Sequence, residues 1–178
     1  MKKFTTHLFL LLFLLPIFSA AQIKLEQRNL LDDKVELLVP VYFKPMTAEM
    51  MATKYPNPGQ QPNLVLTDEN AEVNIVVTIT PQPIQPGQMT KYKDFMINSL
   101  KRSHPDAQWL DNGVKQINGK NVGYFKLISN AVDQKVFVCY FFTDLDGKVL
   151  IFTFNCTEAL LPKWKDTADT IMASLKVK

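Results

Sequence analysis

The sequence predicts an α+β fold, a single-domain α/β/α sandwich whose mainly antiparallel sheet has about six to seven strands with helices packed on its faces. Three observations predict it. Dense apolar runs joined by glycine-containing turns fill much of the C-terminal half, an amphipathic helical pattern separates two groups of strands, and a second helical pattern ends the chain. Strands joined by tight turns pair antiparallel, and amphipathic helices cover their apolar faces.

The first 21 residues have the pattern of a secretory signal peptide. Lys2 and Lys3 precede an apolar run from Leu8 to Phe18, and small residues lead up to Ala21. The run is shorter than the ~20 residues that span a membrane, which disfavours the alternative of a retained anchor. We therefore expect cleavage after Ala21 and a soluble exported protein, periplasmic or extracellular, without stable membrane insertion.

Charge and length limit what the exported chain can be. Without residues 1–21, 18 basic side chains face 17 acidic ones, a formal charge of +1. No cluster of Lys and Arg offers the concentrated positive charge that nucleic acid requires, so we expect no nucleic-acid partner. The remaining chain suits a loosely held polar segment at 22–33 followed by one domain at 34–178.

The segment 135–156 predicts the central hairpin of the sheet. Asp146-Gly147 is a tight-turn pair between two apolar runs, because glycine accepts a positive φ without steric cost. Both strands are apolar on both sides, so both faces of the hairpin must be covered. One face is predicted to carry Phe137, Cys139, Phe141, Leu150, Phe152, Phe154 and Cys156, and the other Val136, Val138, Tyr140, Phe142, Val149, Ile151 and Thr153.

A two-residue turn sets the two cysteines diagonally on one face. In that register Cys139 faces Phe154 and Cys156 faces Phe137. Diagonal pairs are usually too far apart for a disulfide, so we expect two buried free thiols, with a disulfide as the alternative. Two cysteines without a nearby His also make no tetrahedral metal site.

The N-terminal half predicts shorter elements. Strands are expected at 34–40, 64–67 and 71–80, and Thr47 opens a helical turn at 47–52 as its N-cap. The last strand is apolar on only one side, which places it further from the middle of the sheet. The methionines at 46, 50 and 51 are expected to fill gaps under a loop, with an adaptable binding surface as the alternative.

Two helices and a meander complete the pattern. Thr90 is predicted to cap a helix at 91–103, with Lys93 outside and an inner stripe of Tyr92, Phe95, Met96, Ser99 and Leu100. Strands at 109–116 and 121–129 meet at Asn118-Gly119, a strong hairpin signal. Pro162 suits the start of the last helix, whose stripe is Trp164, Ala168, Ile171, Met172 and Leu175.

Five short segments carry a resemblance to a known family: Lys54-Tyr55-Pro56, Val73-Asn74-Ile75, Ile117-Asn118-Gly119, Asp146-Gly147-Lys148 and Ile171-Met172-Ala173-Ser174-Leu175. They span most of the chain from Lys34 onward. In this order the chain resembles the PsbP-like superfamily, which includes DcrB-type bacterial envelope proteins and a eukaryotic Ran-binding factor. The resemblance implies an α/β/α sandwich that serves as a binding or assembly module, and it carries over no functional residue.

Catalytic and metal motifs are missing from the sequence. No nucleophile elbow, zinc-protease helix or phosphate loop occurs, and we expect no catalytic residue, no cofactor and no metal site. His104 is interpreted as a helix-end residue. Asp144, Asp146 and Asp68 are interpreted as turn residues that bond their own backbone, because neither acidic turn supplies the six oxygens that calcium needs.

Two proline-rich loops are the candidate binding surface, because loops on a rigid scaffold often carry function. The loops run from Tyr55 to Pro62 and from Pro81 to Gly87, and their predicted binding residues are Tyr55, Pro56, Pro58, Pro62, Pro83, Ile84 and Pro86. Trp109 is a further candidate that could line a ligand groove, with a half-buried anchor as the alternative. We expect a non-enzymatic extracytoplasmic module that binds or assembles with another envelope or secreted protein. The alternatives are an immunity or chaperone-like partner of a secreted effector, a small apolar ligand carrier with a pocket between sheet and helix, and an enzyme built from His104, Asp106 and Asp111.

Overall fold

A computed structural model describes residues 22–131 and 134–178, so the predicted signal peptide at 1–21 lies outside the described residues. The described chain contains three helices, α1 Ala48–Lys54, α2 Met89–Ser103 and α3 Leu161–Ala173. Its ten strands are β1 Leu25–Leu30, β2 Val35–Pro40, β3 Lys44–Pro45, β4 Leu64–Thr67, β5 Val73–Pro83, β6 Gln108–Ile117, β7 Lys120–Asn130, β8 Lys135–Leu145, β9 Lys148–Thr157 and β10 Lys176–Val177. None of these three helices is both long and apolar enough to cross a membrane.

Seven strands form one antiparallel sheet in the order β3-β4-β5-β9-β8-β7-β6, and a second sheet has the order β1-β2-β10. α2 packs on one face of the large sheet, against β6 and β7. α3 and the small sheet cover the other face. The predicted α/β/α sandwich with an antiparallel sheet of about seven strands is confirmed, and the small sheet is an addition to it.

The predicted central hairpin is β8 and β9, and β9 is the middle strand of the large sheet. Asp146 and Gly147 form its two-residue turn with φ of 52° and 74°. The strands pair as Cys139 with Phe154 and Phe137 with Cys156, the register that the turn predicts. Their alternate side chains enter two separate cores, one on the α3 side and one on the α2 side.

Cys139 and Cys156 are free and buried on the α3 side of this hairpin. The expected free thiols are therefore confirmed, and the diagonal register explains why they do not bridge. Burial raises the pKa of both thiols to about 12. At neutral pH both side chains act as small apolar core residues.

Residues 22–33 differ from the predicted loosely held segment, because β1 pairs with β2 along six residue pairs. Leu30 is buried, and the Arg28 guanidinium donates to the backbone oxygens of Phe43 at 2.8 Å, Val41 at 3.1 Å and Pro40 at 3.3 Å. The polar sequence of β1 shows little strand alternation. Its structure depends on β2 and on these carbonyl groups, which lie later in the chain.

β5 is longer and more central than predicted. It runs through Pro83 with a register shift after Ile79, and it pairs with the middle strand β9. Its polar side is satisfied inside the sheet: Thr67 Oγ1 donates to Asn74 Oδ1 at 2.8 Å, and Asn74 Nδ2 donates to Asn155 Oδ1 at 2.9 Å. This bridge across three strands allows a half-polar strand to lie beside the centre.

α2 is rotated from the predicted orientation and begins two residues earlier, so Thr90 lies in its first turn. Its buried residues are Met89, Lys93 and Ile97, whereas Phe95 is 57% exposed. Lys93 was predicted outside, but its aliphatic stem is buried and its Nζ donates to Asn112 Oδ1 at 2.9 Å. A lysine can bury its aliphatic stem while its charge reaches a polar partner. Lys93 can therefore occupy the inner face of α2, where Phe95 was predicted.

The remaining predicted elements are confirmed. Thr47 Oγ1 accepts from the backbone N–H of Met50 at 3.2 Å and caps α1. Asn118 and Gly119 join β6 and β7 with φ of 46° and 84°. The predicted inner stripe of the last helix is buried.

Candidate functional site

The candidate site is a half-exposed apolar surface on the α2 side of the large sheet. We call it the aromatic face, and it consists of Tyr92, Phe95, Trp109, Val138, Tyr140 and Ile151. Strand alternation turns Val138 and Tyr140 of β8 and Ile151 of β9 to this side, and α2 covers mainly the neighbouring β6 and β7. The part of the sheet beside α2 is therefore only partly shielded from solvent.

Aromatic rings connect this surface to the core below it. The ring of Phe125 lies 4.7 Å from that of Tyr140, 5.9 Å from that of Trp109 and 6.1 Å from that of Phe142, measured between centroids. Tyr92 continues the series, 5.3 Å from Phe142 and 6.3 Å from Phe95. Phe125 and Phe142 are fully buried. They support the exposed rings from beneath and restrict their motion.

The tyrosines of the face have apolar surroundings. Burial raises the pKa of Tyr92. Burial, with a smaller contribution from the phenol of Tyr55, raises the pKa of Tyr140. Tyr55 follows α1 directly and is itself half-buried, and burial raises its pKa as well.

The predicted binding residues differ in their exposure. Pro62 and Ile84 are buried, so they serve packing. Pro56, Pro58 and Pro83 are exposed, and Trp109 is half-buried under the ammonium of Lys101, 5.4 Å from its ring. Pro86 begins a single 3-10 turn before α2, and its side chain is outside the described part.

The second loop meets the aromatic face directly. Pro83 and Ile84 line a cleft together with Tyr92 and Phe95, and the Ile84 N–H donates to the oxygen of Gly147 at 2.9 Å. Sequence reasoning missed Phe95 and Tyr140 as surface residues, because a helical stripe and a doubly apolar strand both predicted burial. The spacing of Met89, Lys93 and Ile97 at i, i+4 and i+8 was the available signal for the true orientation of α2.

A second apolar region surrounds α1. Met46 and Met50 are half-buried and line open clefts on either side of this short helix. The methionines therefore do not fill a closed core. Charged residues, among them Lys44, Lys54, Asp68 and Glu69, surround them.

The acidic and histidine candidates have separate structural partners. His104 ends α2, where its N–H donates to the Leu100 oxygen at 2.7 Å, whereas Asp106 bonds Asn130. Asp111 contributes to the raised pKa of Tyr124, which burial chiefly causes. These contacts do not bring the three side chains of the enzyme hypothesis into one group.

The turn carboxylates also have partners in the fold. Asp68 Oδ1 accepts from the backbone N–H groups of Glu72 at 2.9 Å and Val73 at 3.2 Å, as a turn residue does. Asp144 pairs with Lys120 at 2.8 Å and Asp146 with Lys34 at 2.6 Å. Lysine ammonium groups therefore hold these two carboxylates, whereas backbone N–H groups hold Asp68.

Comparison with known proteins identifies the fold. No family model matches the sequence, and no curated protein matches it. Among solved structures, the chain is similar to cyanobacterial PsbP from Synechocystis, with a TM-score of 0.61 and 16% identity over 90% of this chain and 96% of that one. The chain therefore has the PsbP-like fold, and the resemblance seen in the sequence is confirmed at the level of the fold.

Two further structures share this fold. LpqN of Mycobacterium tuberculosis, described as involved in cell envelope biogenesis, has a TM-score of 0.58 and 15% identity over 87% of this chain and 91% of its own. A Pseudomonas aeruginosa protein of unknown function has a TM-score of 0.52 and 13% identity over 86% of this chain and 97% of its own. The three neighbours thus share one fold with this chain, and one of them is described as involved in cell envelope biogenesis.

Proposed function

We propose that this protein is a non-enzymatic binding or assembly module of the bacterial envelope, exported from the cytoplasm, and that it holds another envelope or secreted protein on its aromatic face. The signal-peptide pattern supports export. The envelope role of LpqN, a protein of the same fold, supports the setting. Because one fold serves many functions, the evidence for binding must come from the aromatic face itself.

The exposure of Phe95 is the observation that carries this proposal. A phenylalanine that is 57% exposed beside Tyr92 and the Pro83 cleft adds nothing evident to the core. Burying the exposed 57% of this side chain against a partner is worth about 1–2 kcal/mol, and aromatic residues are enriched at the centres of protein interfaces. The buried rings of Phe125 and Phe142 hold this surface rigid, which lowers the entropy cost of binding.

The shape of the face favours a protein over a small ligand. The space between α2 and the sheet is filled by Phe125, Phe142 and Val149, all fully buried. A small apolar carrier needs a concave site that encloses most of its ligand. Shallow apolar surface beside a helix instead suits an apolar segment of another protein.

A photo-crosslinking amino acid placed at Phe95 tests this proposal in cells that export the protein. We expect one defined protein adduct from position 95. Lys165 is the matched control, because it is exposed on α3 across the sheet, and we expect no such adduct there. An effector encoded beside this protein, if captured, would identify the immunity-like form of the proposal.

Binding of the captured partner then provides the quantitative test. Phe95→Ser should weaken the affinity about tenfold, as for an aromatic residue at an interface centre, without lowering the melting temperature. Equal crosslinking from positions 95 and 165, or unchanged affinity of Phe95→Ser, would contradict the proposal.

A further inference from the structure

We propose that two copies of this chain join along β6 and form one continuous antiparallel sheet. β6 is ten residues long and is the outermost strand at its end of the large sheet. It pairs with β7 on one side, and in the described residues no strand pairs with its other side. Such an edge offers unpaired backbone N–H and C=O groups to a further strand.

The β6–β7 register determines which groups point outward. Ile117 and Lys120 flank the two-residue turn and form a hydrogen-bonded pair, so Lys115 and Gly113 also bond β7. The intervening residues Asn112, Val114 and Gln116 therefore direct their N–H and C=O groups away from the sheet. A second strand must align these outward residues with its own.

Charge selects one of the possible registers. Antiparallel self-pairing centred on Gly113 sets Asn112 against Val114 of the second copy, which aligns the outward groups. It also sets Asp111 against Lys115 of the second copy, and Lys115 against Asp111 of the second copy. Self-pairing centred on Asn112 or on Val114 would also align the outward groups. The first would set Asp111 against Gly113 of the second copy, and the second would set it against Ile117. Only the Gly113 centre forms two opposite-charge pairs.

Gly113, the residue on the symmetry axis, allows the two β6 strands to approach each other closely. Gly113 pairs with itself there at a position without hydrogen bonds, where the two Cα atoms come within about 4.5 Å. A Cβ at this position would lie 3.0 Å from the ring of Tyr124, so a side chain here would press on that ring. The absence of a side chain leaves space at the axis.

The geometry of the two sheet edges favours a closed dimer. At the other edge, β3 contains only Lys44 and Pro45, and proline cannot donate to a ladder. A register shift between Trp109 and Asp111 limits regular pairing of β6 to the part that follows it. The large sheet therefore offers one usable edge per chain in the described residues, which joins two copies and cannot extend this sheet into a fibre.

The dimer has a consequence for the whole molecule. The axis of an antiparallel edge pair is perpendicular to the sheet, so both α2 helices and both aromatic faces lie on the same side. A cleft lined by Lys93, Asp94, Ile97, Lys101 and Asn112 lies where α2 meets β6, at the edge that the second copy approaches.

Sedimentation of the purified chain from residue 22 onward, over about 1–300 µM, tests the proposal, because mass action governs dimerisation. We expect a monomer–dimer equilibrium.

Val114→Pro removes an outward N–H while keeping the bonds to β7, and should abolish the dimer. Lys115→Asp creates two like-charge pairs and should weaken dimerisation about tenfold or more. Asp111→Lys combined with Lys115→Asp restores opposite charges and should restore the dimer.

The circular dichroism spectrum and the melting temperature of each variant show whether a substitution has disrupted only the dimer interface or the fold as well. Recovery in the double variant shows that the single substitution acted through charge. A wild-type chain that stays monomeric at about 300 µM would overturn the proposal, as would a dimer that persists in Val114→Pro. Failure of the double variant to recover would overturn the Gly113 register.

Discussion

Gly123 of β7 is the residue that allows a buried ring to lie flat on the sheet. A Cβ built at this position would lie 2.7 Å from Cζ of Phe142, which is fully buried between β8 and α2. The ring cannot move away because Tyr92 and Phe125 pack against it. The support of the aromatic face therefore depends on one missing side chain.

Gly123→Ala should lower the free energy of unfolding by about 1–3 kcal/mol, because the added methyl group overpacks a fixed core. Chemical denaturation measures it. Gly59→Ala is the control, since a Cβ there meets nothing within 4 Å and φ is not positive, and its change should stay within about 0.5 kcal/mol. If Gly123→Ala changed the free energy of unfolding as little as Gly59→Ala does, the ring of Phe142 would be able to move and accommodate the methyl group.

At the scale of elements, one ion pair joins α3 to the large sheet. Lys126 of β7 is nearly buried, and its Nζ pairs with Asp169 Oδ1 of α3. Burial opposes the charge of Lys126, but the hydrogen bond and charge of Asp169, with smaller contributions from Cys139 and Asp111, outweigh it. The pKa of Lys126 is therefore raised above its ordinary value.

Asp169→Asn should reverse the way in which the stability of the protein changes with pH. In the wild type, the raised pKa of Lys126 keeps the stabilisation by the ion pair complete below about pH 10, and this stabilisation is lost as pH rises through the folded pKa. In the variant, burial dominates and lowers the pKa of Lys126, so stability should increase as pH rises from neutral towards about 10, the ordinary pKa of lysine. At pH 7 the loss should be about 1–2 kcal/mol, discounted because Asp169 is 42% exposed.

Denaturation across this pH range measures the effect. Asp146→Asn is the control, because it breaks the exposed Lys34 pair and should leave the slope between pH 8 and 10 unchanged. A flat curve for Asp169→Asn would mean that water solvates Lys126 once its partner is gone.

At the scale of the whole molecule, the small sheet brings the two ends of the described chain together. β1 and β10 pair with opposite sides of β2, and the N–H of Lys178 donates to the oxygen of Lys34 at 2.9 Å. Glu36 binds Lys176 and Lys178, and their hydrogen bonds lower its pKa. The small sheet thereby encloses the α3-side core, to which it contributes Val35, Leu37 and Val39.

A chain that begins at residue 34 should lose about 3–5 kcal/mol of stability. The estimate combines the exposure of Leu30 and its neighbours with the loss of the Arg28 hydrogen bonds to three carbonyls. Thermal and chemical denaturation of chains starting at residues 22 and 34 measure it. Asn29→Ala, an exposed change on β1, should have little effect. Equal stability of the two chains would show that β1 contributes little.

The candidate site was predictable only in part. Of the predicted binding residues, Trp109 belongs to the aromatic face and Pro83 and Ile84 line the cleft beside it, and their role in binding stays a prediction. Phe95 and Tyr140 were missed because periodicity reports which residues are apolar and cannot report how far a helix extends over a sheet. α2 covers β6 and β7, and this placement leaves part of an apolar face half-exposed.

The sequence by itself determined the architecture of the C-terminal half and the register of its two hairpins. Asp146-Gly147 and Asn118-Gly119 specify their turns through local backbone preference, and two-residue alternation then assigns every side chain to a face. Only the tertiary structure decided the pairing of β1, the central place of β5 and the rotation of α2. Those features depend on Arg28, Asn74 and Lys93 reaching groups distant in the chain, and such contacts leave no periodic signal.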